Sequence, residues 1–351
     1  MKFLIIILIL LTALLGLCLW LLKTKRMTMP FFYYFERGYT LGVAEVNNPQ
    51  EVRLSDFKEI EKKQFGLHPE PRIMADPFIV RVEKRREEKR REEKRGTLTS
   101  SENIYYIFYE ELTAKWRYPY AGNIAVLESR DGKRWSRKGV CLREKSHTSF
   151  PNVFEADGEW YMLPEMNSSG EMRIYKATDF PMHWEIFAKP FVGRSYSDPM
   201  IYRKDGVWYL WFHTFLEGDD LRLFVSNDLD GVWREHPCSP IRTAGNDTRP
   251  AGRISEYEGR LLYFIQDHSE GYGTGVIAYE ITQLSPTDYA DERLADNPLL
   301  WRSYKDDWAK DGVHHLSYVR ESNGKWLCVT DGRNSEVHKA FDILNFPEFN
   351  F

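Results

Sequence analysis

Four stretches of the chain share one arrangement of polar and apolar positions. They read DGEWYML at 157–163, DGVWYLW at 205–211, EGRLLYF at 258–264 and NGKWLCV at 323–329. An acidic residue or Asn before Gly, set among runs rich in Tyr, Trp, Phe, Val and Ile, predicts a β-hairpin. A second series interleaves with the first: SRDGKRW ends at Trp135, ATDFPMHW at Trp184 and SNDLDGVW at Trp233, two successive intervals of 49 residues. These segments join turn chemistry to a large apolar anchor, so their tryptophans are expected to pack between repeats. A third short strand (EMRIYKA, LRLFVSN, GVIAYEI) follows each hairpin, and a fourth (WEIFAKPF) follows the Asp-to-Trp turn. Four antiparallel strands per repeat, set radially, predict a propeller blade.

Five such units fit, opening at ADPFIV, SFPNVF, SDPMIY, RPAGRI and GVHHLSY. The fold expected is all-β, a five-bladed β-propeller. The fifth unit has only about three strands, so YTLGVAEV (39–46) is the candidate that closes the ring. In the first unit the hairpin turn is replaced by EKRREEKRREEKR (83–95), with five Glu among eight basic residues. Mixed signs at that density predict a solvated helical or unstructured insertion over 83–102 rather than an anionic-lipid or nucleic-acid patch. Ahead of the propeller, residues 3–22 carry no charge and are followed by Lys23, Lys25 and Arg26. That length spans a hydrocarbon layer, which predicts one N-terminal transmembrane helix. The domains expected are a membrane anchor at 1–26, a linker with the closing strand at 27–67, and the propeller at 68–351.

Composition adds little to this picture. Of 351 residues 42% are hydrophobic, and the net charge is -4. No global basic field marks a nucleic-acid partner. Outside the apolar segment stand Cys141, Cys238 and Cys328, without metal or redox spacing, so neither a disulfide framework, a metal nor a cofactor is expected.

The chemistry lies at the strand ends. Seven residues past each turn glycine stand Glu165, His213, Gln266 and Asp331, and alignment of the first repeat adds Glu110. A hairpin brings each of these beside the start of its first strand, where Asp76, Phe150, Asp198, Arg249 and His314 stand. In a closed ring both series converge on one mouth of the central channel. Asp76, Glu165 and Asp198 would then face Arg249, Arg253 and His213, with Asp267 nearby, and at most one of His314 and His315 would face the channel. Many paired donors and acceptors over aromatic rings suit a hydroxyl-rich ligand, a sugar.

ADPFIV, SFPNVFEADGEWYMLPE, IYKATDFPMHW, SDPMIYRKDGVWYLWF, TRPAGRI and QDHSEGYG, in this order, resemble the N-terminal domain of glucosamine inositolphosphorylceramide transferases over roughly residues 68–292. That domain is similar to the five-bladed propellers of glycoside hydrolase families 43, 32 and 130. The resemblance implies catalytic carboxylates at Asp76 and Asp198. The acid Glu of those hydrolases, expected near the start of the fourth blade, is replaced by TRPAGR with Arg249 and Arg253. Glu165 is the substitute acid on offer, but a neighbouring Arg would lower its pKa and oppose that role. In the plant family the transfer chemistry is expected from a separate C-terminal domain, for which this chain has no room.

The reading is a membrane-anchored, carbohydrate-binding propeller acting in glycan or glycolipid synthesis. Its expected partners are a glycan or phosphorylated glycolipid headgroup, the membrane and a separate glycosyltransferase, and the expected place, if the source is eukaryotic, is the Golgi or endoplasmic reticulum, with either orientation across the membrane. The rivals are a glycoside hydrolase or phosphorylase using Asp76, Glu165 and Asp198, and a scaffold that binds protein through the propeller rim.

Overall fold

The computed structural model describes residues 33–66, 71, 73–87, 99–112, 122–194, 196–215, 218–243, 245–295, 298–304 and 308–339, together with Thr12. Gly38–Asn334 forms one compact unit, and Met1–Arg37 with Ser335–Phe351 form a second. The expected anchor at 3–22 lies outside the described residues. Among the described residues no helix is long and apolar enough to cross a membrane.

The larger unit is a five-bladed β-propeller. Strands β1 (Tyr33–Val46) and β2 (Lys58–Glu59) precede the first blade. Blade one is β3 (Ile73–Glu87), β4 (Thr99–Leu112), β5 (Asn123–Ser129) and β6 (Ser136–Leu142). Blade two is β7 (Ser149–Ala156), β8 (Glu159–Glu165), β9 (Glu171–Asp179) and β10 (His183–Val192). Blade three is β11 (Ser197–Lys204), β12 (Val207–Thr214), β13 (Asp220–Ser226) and β14 (Arg234–Glu235). Blade four is β15 (Ser255–Tyr257), β16 (Arg260–Asp267), β17 (Gly275–Leu284) and β18 (Tyr289–Arg293), with β19 (Leu300–Trp301) also on β17. Blade five pairs β20 (Leu316–Arg320) with β21 (Trp326–Lys339), and its sheet is completed in the order β2-β1-β21-β20. The strand that contains YTLGVAEV therefore closes the ring.

The hairpin turns follow from their residues. Asp157 and Gly158 have φ of 52° and 78°, Asp205 and Gly206 51° and 82°, Glu258 and Gly259 49° and 78°. Positive φ at both central positions is the type I′ turn, whose twist matches the strands it joins. Blade one differs from expectation. Its two inner strands continue into the charged run as far as Glu87 in regular register, Glu83 opposite Asn103 and Glu87 opposite Thr99. The ladder satisfies the backbone there; residues 88–98 of the insertion lie outside the described residues.

Four apolar clusters fill the ring of inter-blade spaces. One joins blades one, two and three through Phe108, Met162, Phe212 and Phe224. The others join blades three and four around Trp211 and Tyr263, four and five around Phe264 and Tyr318, and five and one around Ile107 and Leu327. Trp135 and Trp233, at 7% and 8% exposure, belong to these clusters, and Trp184 packs against one.

The tightest approach of neighbouring inner strands is at Gly252, with φ 151°, where a Cβ would come 2.1 Å from the Leu316 carbonyl oxygen. Gly158, with φ 78°, has open space at the same position. In urea unfolding, Gly252→Ala is expected to cost several kcal/mol because backbone must shift. Gly158→Ala is expected to cost about 1 kcal/mol, the strain of the turn alone.

Candidate functional site

The two polar series meet as the repeats predict. Ala75 lies opposite Glu110, Ser149 opposite Glu165 and Ser197 opposite His213. In blade four the Gln266 N–H donates to Arg249 O at 2.8 Å. In blade five the His314 N–H donates to Asp331 Oδ1 at 3.0 Å.

Immediately after these pairs the register skips in blades one to three, and the residue at each skip has positive φ: Asp76 52°, Phe150 45°, Asp198 49°. A proline follows each, at 77, 151 and 199. Left-handed backbone costs a non-glycine residue free energy. Here it turns the residue's own N–H toward a carboxylate of the preceding blade. Asp331 Oδ2 accepts from Asp76 N at 3.0 Å, Asp76 Oδ2 from Phe150 N at 3.2 Å, and Glu165 Oε2 from Asp198 N at 3.2 Å. Carboxylates and backbone thus clasp blade five to one, one to two, and two to three.

Blades three and four meet through Arg249. Its Nε donates to Asp198 Oδ2 and its Nη2 lies 3.6 Å from Glu165 Oε2. Gln266 Nε2 donates to the same Asp198 oxygen at 3.1 Å and to Pro250 O at 2.9 Å. The guanidinium sits between the rings of Tyr272 and Phe215, at 5.2 and 5.8 Å. Burial works against an ionised Asp198, but Arg249 together with the Glu165 hydrogen bond and the His314 charge outweighs it and holds the pKa below the ordinary value. Glu165 goes the other way. Burial first, then the Asp198 charge and a hydrogen bond to it, push its pKa well above 4.5, and Arg249 does not offset them. Arg249 does lower the Glu165 pKa, as the sequence suggests, but the net shift is upward because burial and then Asp198 exceed it.

Burial, and after it the Asp76 charge, raise Glu110 from 4.5 to about 8. His147 Nε2 stands 3.6 Å from its Oε1. His314 Nδ1 lies 2.7 Å from Asp331 Oδ2, close enough for an ion pair though not aligned as a hydrogen bond, and Nε2 lies 3.9 Å from Asp76 Oδ1. Burial disfavours the imidazolium, but Asp331 and Asp76 together outweigh burial and raise the His314 pKa. The same pairing outweighs burial at Asp331 and lowers its pKa. Asp76, His314 and Asp331 also offer three ligand atoms within 4.8 Å of one another, a set able to hold a divalent cation. Both adjacent histidines approach Asp76, His315 Nδ1 at 3.8 Å. Both reach it because they precede β20, where strict strand alternation has not begun.

His213 Nε2 is 2.6 Å from Asp219 Oδ1, and burial lowers its pKa. Two expected members stand elsewhere. Asp267 accepts from Ser269 N at 2.8 Å and braces a loop. Arg253 pairs with none of the carboxylates; it lies over the Phe78 ring at 5.3 Å and lines a cavity toward the opposite end of the channel. Sequence reasoning passed over Tyr272, Phe215 and His268. Burial, with Arg249 nearby, depresses the His268 pKa to about 4. Two of these three stand in QDHSEGYG, a segment noted only as family resemblance.

Known proteins agree with this frame. The family model described as glucosamine inositolphosphorylceramide transferase 1, N-terminal, matches residues 96–333. Glucosamine inositolphosphorylceramide transferase 1 of Oryza sativa subsp. japonica is 31% identical over 235 residues, which are 65% of this chain and 31% of that protein. The protein of that name from Arabidopsis thaliana is 30% identical over 237 residues, 65% of this chain and 30% of its own. The chain thus matches less than a third of the length of these plant relatives. Among solved structures, a β-1,2-mannobiose phosphorylase from Listeria innocua aligns with a TM-score of 0.50 at 14% identity, over 86% of this chain and 98% of that one. That likeness is of fold.

The shifts set the pH behaviour. The depressed Asp198 and Asp331 contribute stability above the ordinary Asp range that is lost as pH falls through their lowered pKa values. The raised Glu110 contributes below 4.5, and its contribution is lost as pH rises through about 8. Glu110→Gln, which keeps the neutral shape, is expected to match the parent near pH 4.5. It should become the more stable protein by on the order of a few kcal/mol near pH 8, read from urea unfolding at each pH. A difference that does not change with pH would mean that Glu110 is ionised in the fold.

Proposed function

The chain belongs to the glucosamine inositolphosphorylceramide transferase 1 N-terminal family, and on that premise we propose that its channel mouth binds a glycan or the phosphorylated headgroup of a glycolipid during glycan or glycolipid synthesis. The observation that carries the reading is Arg249. It is fixed by Asp198 and Glu165 and flanked by Tyr272 and Phe215. Among the described residues nothing holds its Nη1, which leaves a donor for a phosphate or hydroxyl oxygen between two rings that can cover a sugar face. Phe215 is 48% exposed and so presents its ring at the rim. The uncharged run 3–22 with its basic flank supports anchoring beside a lipid-linked ligand, in an endomembrane and with a separate glycosyltransferase.

One observation favours a second reading, turnover of a glycoside by water or phosphate. Burial and the Asp198 charge raise the Glu165 pKa well above 4.5, the direction a general acid needs. Its hydrogen-bonded neighbour Asp198 is too close to be the opposing group, since hydrolysis separates the two carboxyls by about 5 Å or more. Asp76 is then the carboxylate left for that role, although it already accepts the Phe150 N–H.

The test incubates the full chain with oligosaccharides, sugar phosphates and inositol-containing headgroups, with and without phosphate, and reads complexes and changed masses by mass spectrometry. Expected are complexes without new masses, weakened roughly tenfold by Arg249→Lys, which keeps the charge but loses the fork. New masses that vanish in Asp76→Asn would replace binding with catalysis. Indifference to every mouth substitution in folded protein would favour a rim scaffold.

A further inference from the structure

The opposite end of the channel holds a second cavity of about 580 Å³, and none of the mouth carboxylates lines it. Phe78, Phe150 and His315, each 0% exposed, stand between the two ends with ring centroids 4.6 to 5.3 Å apart. His315 approaches Asp76 of the mouth, and Arg253 lies against Phe78 while lining the cavity.

The cavity is built by the hairpin repeat itself. Trp160, Trp208 and Trp326, each two positions past a turn glycine, all line it. Arg203 pairs across strands with Trp208 and Arg320 with Trp326, the guanidinium carbons 5.4 and 5.9 Å from the rings. Arg81 donates to Arg320 O at 2.8 Å. With Arg253 these make four lining arginines against two lining glutamates, Glu155 and Glu256. Arg203 already pairs with Asp157, outside the lining, at 2.8 Å.

Arg253 is different. Among the described residues its Nε and Nη2 are buried with no hydrogen-bond partner, and no ion pair holds it. Burial without a counter-charge draws its pKa down to about 10, so it is still a cation at neutral pH. An enclosed guanidinium edge without an acceptor is costly to keep, and each such group in a fold needs a cause. An apolar side chain would fill the space beside Phe78 at less cost. The charge makes sense when an oxyanion completes it.

The geometry points to a second ligand site at this end of the channel, for a pyranose that carries a phosphate or carboxylate. Arg253 takes the oxyanion, the partly exposed Trp160 and Trp326 cover the sugar faces, and Glu155 and Glu256 accept from its hydroxyls. The site is separate from the Arg249 mouth and stands whether or not that mouth binds sugar.

Isothermal titration of the full chain in detergent tests it with glucose 6-phosphate, glucuronic acid, glucose and inorganic phosphate. Saturable heat is expected with glucose 6-phosphate or glucuronic acid, which separates a phosphate from a carboxylate source, and far weaker binding of glucose and of inorganic phosphate. Arg253→Met should weaken the charged sugar roughly tenfold or more without lowering the melting temperature, since it removes an unpaired buried charge. Trp160→Ala should weaken the sugar but not inorganic phosphate. Absence of saturable heat with both charged sugars, or phosphate binding as tightly as they do, overturns the site. Loss on Arg249→Lys with Arg253→Met unaffected places the heat at the other mouth and equally overturns it.

Discussion

The ring is held at its axis by carboxylates that accept backbone N–H groups from the next blade. Asp331, Asp76 and Glu165 each reach forward to the residue that opens the following inner strand, at 3.0 to 3.2 Å. Those residues adopt left-handed backbone, which a non-glycine residue tolerates only when something offsets the strain. A buried hydrogen bond from the backbone N–H to a carboxyl oxygen is such an offset. The interblade clasp and the polar lining of the mouth are therefore the same atoms.

This double use shapes the chemistry. Carboxylates packed at one end of a narrow channel cannot all ionise. Arg249 and His314 neutralise Asp198 and Asp331, while burial and neighbouring negative charge raise the pKa values of Glu165 and Glu110. The mouth thus mixes fixed donors and acceptors with little net charge, which suits hydroxyls and oxyanions. An arginine in blade four has a physical role whatever the ligand: it carries the link between blades that carboxylate and backbone N–H carry elsewhere. A substitution that looks like the loss of a catalytic acid is also the gain of a clasp.

Much of this was legible along the chain. The Asp-Gly, Glu-Gly and Asn-Gly repeats located the hairpins, and counting seven residues past each glycine found the ends that face the mouth, because a hairpin preserves register locally. Arg253, four residues beyond Arg249, was set in the mouth beside it without such a count. Between them the chain turns through Gly252 against Leu316, so the two arginines face opposite ends of the channel. Tyr272, Phe215 and His268 lie in loops between strands, where no periodicity points inward. The charged run was read as an interruption, yet its start extends the hairpin, because backbone pairing with 99–103 continues there whatever the side chains.

The sequence by itself determined the number of blades, the hairpins and the set of polar strand ends, because turn residues and strand period act over a few positions. Only the tertiary structure decided which of those polar groups are partners and which hold protons. Asp76 and Asp331 are separated by 255 positions and meet at 3.0 Å. A carboxyl's charge depends on what burial removes and on which guanidinium or imidazole arrives from another blade, and neither exists until the ring closes.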